Sequence, residues 1–223
     1  MNTKVLYSAI FVAALAAGSY FAINRGNAPG GTGFDLAAQA QTTEDVDTSG
    51  IVEMTLGEES APVEVIEYAS FTCPHCASFH QNVFKKLKAD YIDTGKVHFI
   101  YREIYFDKPG LWAGMVARCA GPMRYFGIAD ALYTEQAEWL ATRDLAGIHG
   151  DLRKLALKSG LDGEQVDACL GDAEKAQAMY ALFLKNAEAD GIESTPSFII
   201  DGEKYTNMSY EDFSAILDEK LGE

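Results

Sequence analysis

The stretch "EYASFTCPHCASFH", residues 67–80, joins the end of an apolar, β-rich run to the start of a segment with helical spacing, and carries two cysteines with two residues between them. Several chemistries use that spacing: a metal clamp, covalent haem attachment, a short structural disulfide and a working redox pair. The local pattern separates them. Pro74 stands where the helix would begin, a position proline tolerates because that N–H has no intrahelical partner. Cys73 is therefore predicted to cap the helix. There the unpaired N–H groups and the positive end of the helix dipole favour an anion, so its thiolate is expected to be stabilised. Cys76, Phe79, Val83 and Leu87 follow at three- and four-residue steps on one apolar face, which predicts a buried second sulfur.

Working outward, "PVEVIEYAS" (62–70) and "KVHFIY" (96–101) read as strands flanking a helical segment of some sixteen residues, a strand-helix-strand unit of the right length for a parallel crossover. "IVEMTL" (51–56) alternates weakly. "SFIIDGEKYT" (197–206) predicts a hairpin around Asp201-Gly202, and "SYEDFSAILDEKL" a closing amphipathic helix capped by Ser209. Residues 107–190 carry helical periodicity only, with runs around 122–138, 144–158, 163–170 and 173–189 and a stop at Gly121-Pro122. The fold class is α/β, with an all-helical insertion between two halves of one sheet.

The chain has 223 residues, 48% of them hydrophobic, enough for a sizeable core. Its 18 basic against 33 acidic residues argue against a nucleic-acid partner, which basic side chains would have to neutralise. After Lys4 the run "VLYSAIFVAALAAGSYFAI" (5–23) is uncharged and would span about 28 Å as a helix. Residues 1–23 thus read as a membrane anchor or as a signal segment cleaved at Ala16-Ala17-Gly18 or Ala38-Gln39-Ala40. Both readings send the rest of the chain out of the cytoplasm, into a compartment where disulfides persist. Residues 24–50, rich in Gly, Thr and Asp, read as a flexible linker.

Context now weighs on the cysteine pair. A zinc site would need further paired ligands, and no second C-x-x-C occurs; haem attachment would need His where Ala77 stands. A disulfide closing so short a loop restrains little chain entropy. Redox chemistry remains, with no metal and no cofactor expected. His75 has two readings, a solvated side chain at a helix start or an imidazole that further stabilises the Cys73 thiolate.

"FTCPHC" with the downstream "STPSF" resembles the DsbA family of thiol-disulfide oxidoreductases, over residues 51–223. The resemblance implies a thioredoxin fold with an inserted helical subdomain, placed here at about 107–190. It implies that Thr195-Pro196 is a cis-proline loop lying against the cysteines and binding substrate, where the residues alone also allow a strand-entry proline. Glu67 matches a buried acid that assists proton transfer at the resolving cysteine; its alternative is an ordinary polar residue at a strand end. Cys119 and Cys169 are expected to form a structural disulfide, or else to be buried thiols; some relatives carry such a bond and others lack it.

The function expected is donation of the 73–76 disulfide to exported proteins with free cysteines in the periplasm, followed by reoxidation by a DsbB-like membrane partner. An apolar groove near Pro196 would bind substrate. Tyr105, Phe106, Trp112 and Met115 are candidates for it, with packing between the subdomains as the preferred reading of each. The alternatives are a reductase or isomerase of the same fold and a tethered chaperone-like binding module.

Overall fold

The register around Val63–Ala69 determines where every side chain of that strand goes. In the computed structural model, which describes residues 46–223, five strands form one sheet: β1 (Met54–Leu56), β2 (Val63–Ala69), β3 (Val97–Glu103), β4 (Ser197–Ile200) and β5 (Glu203–Thr206). Their order is β1-β3-β2-β4-β5. β2 and β3 are parallel and the other neighbours antiparallel. The segment 1–23 and most of the 24–50 linker lie outside the described residues. Among the described residues no helix is long and apolar enough to cross a membrane.

The parallel pair is joined by the crossover helix α1, residues 74–92, in which α-helical turns (Pro74–Phe79, Lys85–Leu87) alternate with π-helical ones (His80–Phe84, Lys88–Ile92). The wider turns change the phase of the helix, yet Cys76, Phe79, Val83 and Leu87 are all buried, and Tyr91 and Ile92 join them in the core.

Six helices follow between β3 and β4: α2 (Lys108–Cys119), α3 (Pro122–Thr134), α4 (Gln136–Trp139), α5 (Leu145–Lys158), α6 (Gly163–Gly171) and α7 (Ala173–Ala189). Asp107, Asp144, Asp162 and Asp172 cap four of them by accepting backbone N–H groups of the first turn, which satisfies donors the helix cannot. Gly121, at φ 75°, makes the break that ends α2, and Pro122 opens α3. A disulfide joins Cys119 to Cys169 across 5.9 Å between Cα atoms. The hairpin turn has Asp201 at φ 46° and Gly202 at φ 82°, the paired left-handed conformation that matches strand twist. Helix α8 (Tyr210–Leu221) closes the chain, with the Ser209 hydroxyl accepting from the Asp212 N–H.

Alternation along β2 sends Val63, Val65 and Ala69 into the larger core with Phe99, Phe198, Cys76, Phe213 and the insertion. Ile66 and Tyr68 point the other way, with Ile100 and Ile104, against Phe183 and Ala187 of α7. The insertion is tied to the sheet by a buried ion pair. Arg118 of α2 donates from Nε to Glu103 of β3 at 2.7 Å, and the Tyr125 hydroxyl donates to the same carboxylate at 2.8 Å.

Candidate active site

Cys73 is the N-cap of α1. Its backbone is extended (φ −83°, ψ 120°), Pro74 occupies the first turn, and its carbonyl accepts from the Ala77 N–H at 3.2 Å. The preceding turn is held by the Cys73 N–H donating to the Ser70 carbonyl at 3.1 Å and by the Ser70 and Thr72 hydroxyls, 3.1 Å apart. Cys73 and Cys76 are both free thiols, the first partly exposed and the second with 0% of its surface accessible.

That asymmetry separates the two sulfurs chemically. A hydrogen bond from the Cys76 thiol, with the backbone N–H groups of Cys76 and His75, brings the Cys73 thiol down to about 5 despite its partial burial. Burial pushes the Cys76 thiol far up, and its hydrogen bond to Cys73 holds its proton further. At neutral pH these shifts favour the Cys73 thiolate and keep Cys76 protonated. The helix tip acts here through backbone donors. His75 contributes its N–H, and its side chain is exposed.

The Thr195-Pro196 bond is cis, and the loop it shapes lies against Cys73: the Cys73 thiol reaches the Thr195 carbonyl at 3.5 Å. A carbonyl offers a thiolate no donor, so this contact only locates the sulfur, while a hydrogen bond from the Thr195 side chain helps to lower the thiol.

Glu67 sits in β2, two residues beyond Val65 and two before Ala69, and alternation therefore turns it toward the core beneath α1. Tyr101 and Phe198 are its neighbours on the adjoining strands, and only 3% of Glu67 is exposed. Burial pushes its carboxyl up to about 8, so it is neutral at pH 7 and carries a proton within the field of Cys76.

Two further groups had no signal in the sequence. The Tyr101 and Tyr133 hydroxyls hydrogen-bond each other in the buried wall beside the pair, and Phe71 packs against both rings. The Gln136 side-chain amide donates to the carbonyls of Phe71 at 2.8 Å and Cys73 at 3.0 Å. A polar residue opening a short helix in the insertion has no periodicity that would mark either partner.

An open groove of about 660 Å³ starts at Thr195 and is lined by Ile104, Phe106, Phe183, Ile192 and the acidic Glu188 and Glu193. Phe106, 59% exposed, belongs to it. Tyr105 and Met115 are buried, and Trp112 packs between Lys108 and His149. Cys119 and Cys169, on α2 and α6, supply no group to the Cys73–Cys76 pair.

A family profile described as Thioredoxin matches residues 49–219. A protein of Rickettsia bellii, named provisionally as a protein-disulfide oxidoreductase, is 32% identical over 172 residues, 77% of this chain, and the chain spans 65% of that protein's length. Disulfide bond formation protein D of Bacillus subtilis is 25% identical over 182 residues, 74% of this chain and 76% of that protein. The crystal structure of alpha-DsbA1 from Wolbachia pipientis is similar with a TM-score of 0.70 and 30% identity, over 76% of this chain and 91% of that one. By that profile match and that likeness, the chain belongs to the thioredoxin family, in its DsbA branch.

Proposed function

We propose that the protein donates its Cys73–Cys76 disulfide to exported proteins. The observation that carries this reading is the unequal pair itself, an accessible thiol lowered to about 5 beside a fully buried one. Whatever stabilises the Cys73 thiolate stabilises the reduced enzyme, and the disulfide form is a stronger oxidant by the same free energy.

In the forward step a substrate thiolate attacks the Cys73 sulfur. The 73–76 bond breaks and Cys76 leaves with the electron pair. Because burial disfavours a Cys76 thiolate, it must take a proton at once, and the neutral Glu67 carboxyl is the donor this reading assigns. A second substrate thiolate then attacks the substrate sulfur of the mixed disulfide and expels Cys73 as a thiolate. Two electrons pass from the substrate dithiol to the enzyme. A membrane partner of the DsbB kind, which passes them to a quinone, restores the disulfide. The uncharged run 5–23 supports an extracytoplasmic, periplasmic site of action. The groove leading from Thr195, with Phe106 at its exposed edge, is the surface we assign to substrate.

Equilibration with a glutathione series tests the direction. A disulfide donor is expected nearer the roughly −120 mV of strong oxidants; a value near the roughly −270 mV of reductants would establish the reductase reading instead.

A further inference from the structure

The turn that carries Cys73 is tied mainly to itself. Pro74 has no N–H to donate. The Cys73 N–H and the Ser70 and Thr72 hydroxyls bond only within the turn itself. Gln136 comes from outside it. Placed at the start of α4, 63 residues from Cys73, and 9% exposed, it donates from one amide nitrogen to the Phe71 carbonyl at 2.8 Å and the Cys73 carbonyl at 3.0 Å. An amide nitrogen has two hydrogens, one for each carbonyl. The acceptors bracket Thr72, and the second belongs to the peptide that links the nucleophile to its helix.

We propose that Gln136 is a positioning residue that holds the Cys73 sulfur over the tip of α1, so that the helical insertion helps to set the oxidising strength of the pair. The inference deepens the disulfide-donor reading and rests on it. In the reduced protein nothing covalent fixes the Cys73 sulfur, and it gains the N–H groups of His75 and Cys76 and the Cys76 thiol only while the turn keeps its place. In the oxidised protein the bond to Cys76 fixes the sulfur whether or not the turn is clamped. Loss of the clamp therefore weakens the reduced form more than the oxidised form. The amide carries no charge, so the effect works through geometry and not through the field of an added cation.

The test compares the full chain with Gln136→Met, which keeps the length and removes both donors, and with Gln136→Asn, which withdraws the amide by one methylene. Three quantities are read: the Cys73 thiolate absorbance against pH, the equilibrium constant with glutathione, and thermal unfolding of both redox forms. Loss of hydrogen bonds to a group of this kind is expected to lower the acid constant of Cys73 and the equilibrium constant for glutathione oxidation together, by about tenfold in Gln136→Met and less in Gln136→Asn. The reduced form should lose more stability than the oxidised form. Equal destabilisation of both forms, with both constants unchanged, would overturn the proposal and leave Gln136 a purely structural tie. If Gln136→Met does not fold, Gln136→Asn gives the same reading. A wrong functional direction would show in the wild-type potential, whereas the ratio of variant to wild type tests the clamp alone.

Discussion

Cys73 and Cys76 lie three residues apart at the tip of one helix, whereas Cys119 and Cys169 lie 50 residues apart on α2 and α6 and are bonded. The short loop of the first pair restrains little of the unfolded chain, so its bond contributes little to stability; the long loop of the second restrains much. Environment completes the contrast. The first pair has one accessible sulfur served by helix N–H groups and one buried sulfur, an asymmetry that gives thiolate exchange a direction. The second pair links two helices of the insertion. The same side chain serves chemistry or architecture according to loop length and to how unequally the two sulfurs are solvated.

The comparison breaks most sharply under substitution of single cysteines. Cys73→Ser should abolish disulfide exchange entirely, which also separates an oxidoreductase from a binding module. Cys76→Ala should accumulate reductant-sensitive adducts through Cys73, seen on non-reducing gels. Equal trapping by Cys73→Ala would overturn the assignment of nucleophile and resolver.

The bonded pair should respond in the opposite sense. Removing it in Cys119→Ala/Cys169→Ala is expected to lower stability by about 3–4 kcal/mol in the chain-entropy picture, a fall of roughly 10 °C in Tm. The potential of the Cys73–Cys76 pair should not change. Calorimetry and glutathione equilibration on one sample check both halves, and a shifted potential would show that the two pairs are coupled.

Smaller effects sharpen the picture of the catalytic pair. Glu67→Gln keeps shape and removes the proton, so reduction of the enzyme by a dithiol peptide should slow by about 10²-fold in stopped-flow. Its stability should change in a defined window. A carboxyl raised from 4.5 to about 8 by burial opposes folding increasingly as pH rises between those values, so the wild type should lose stability there and Glu67→Gln should not. Cys73 has the opposite sign. Its thiol falls from 9.0 to about 5, so the stability it lends the reduced form is fully present above pH 9 and lost as pH falls through 5. The potential should accordingly change by about 30 mV per pH unit within that window and by about 60 below it. The smallest effect is expected for His75→Leu. The backbone N–H that serves Cys73 survives the change, so the thiolate titration should move by only a few tenths of a pH unit, about what a screened exposed charge is worth.

Much of the site was legible because its causes are local. A proline one residue after Cys73 marks a helix start, a helix start offers N–H groups, and a three-residue step places Cys76 on the face that carries Phe79 and Leu87. Asp201-Gly202 announced its turn for an equally local reason, since few residue pairs accept two left-handed conformations in succession. The π-helical turns of α1 were not legible, because the spacing of its apolar residues fits both helix types and only packing against the sheet chooses. His75 illustrates the same limit: its presence beside Cys73 could be read, but not whether ring or backbone would face the sulfur.

The order of residues by itself determined a strand-helix-strand unit, an all-helical insertion, a hairpin and closing helix, and a helix-capping cysteine with an apolar-face partner. Each depends on periods and caps only a few residues long. Tertiary structure alone decided that the Thr195 carbonyl meets the Cys73 sulfur, that Tyr133 joins Tyr101, and that Gln136 reaches back to the turn that carries Cys73. Those groups come from the insertion and the far side of the sheet, and no sequence period relates them to Cys73. They meet because β4 pairs with β2, and because the insertion folds back over α1 to bury a face that neither could bury alone.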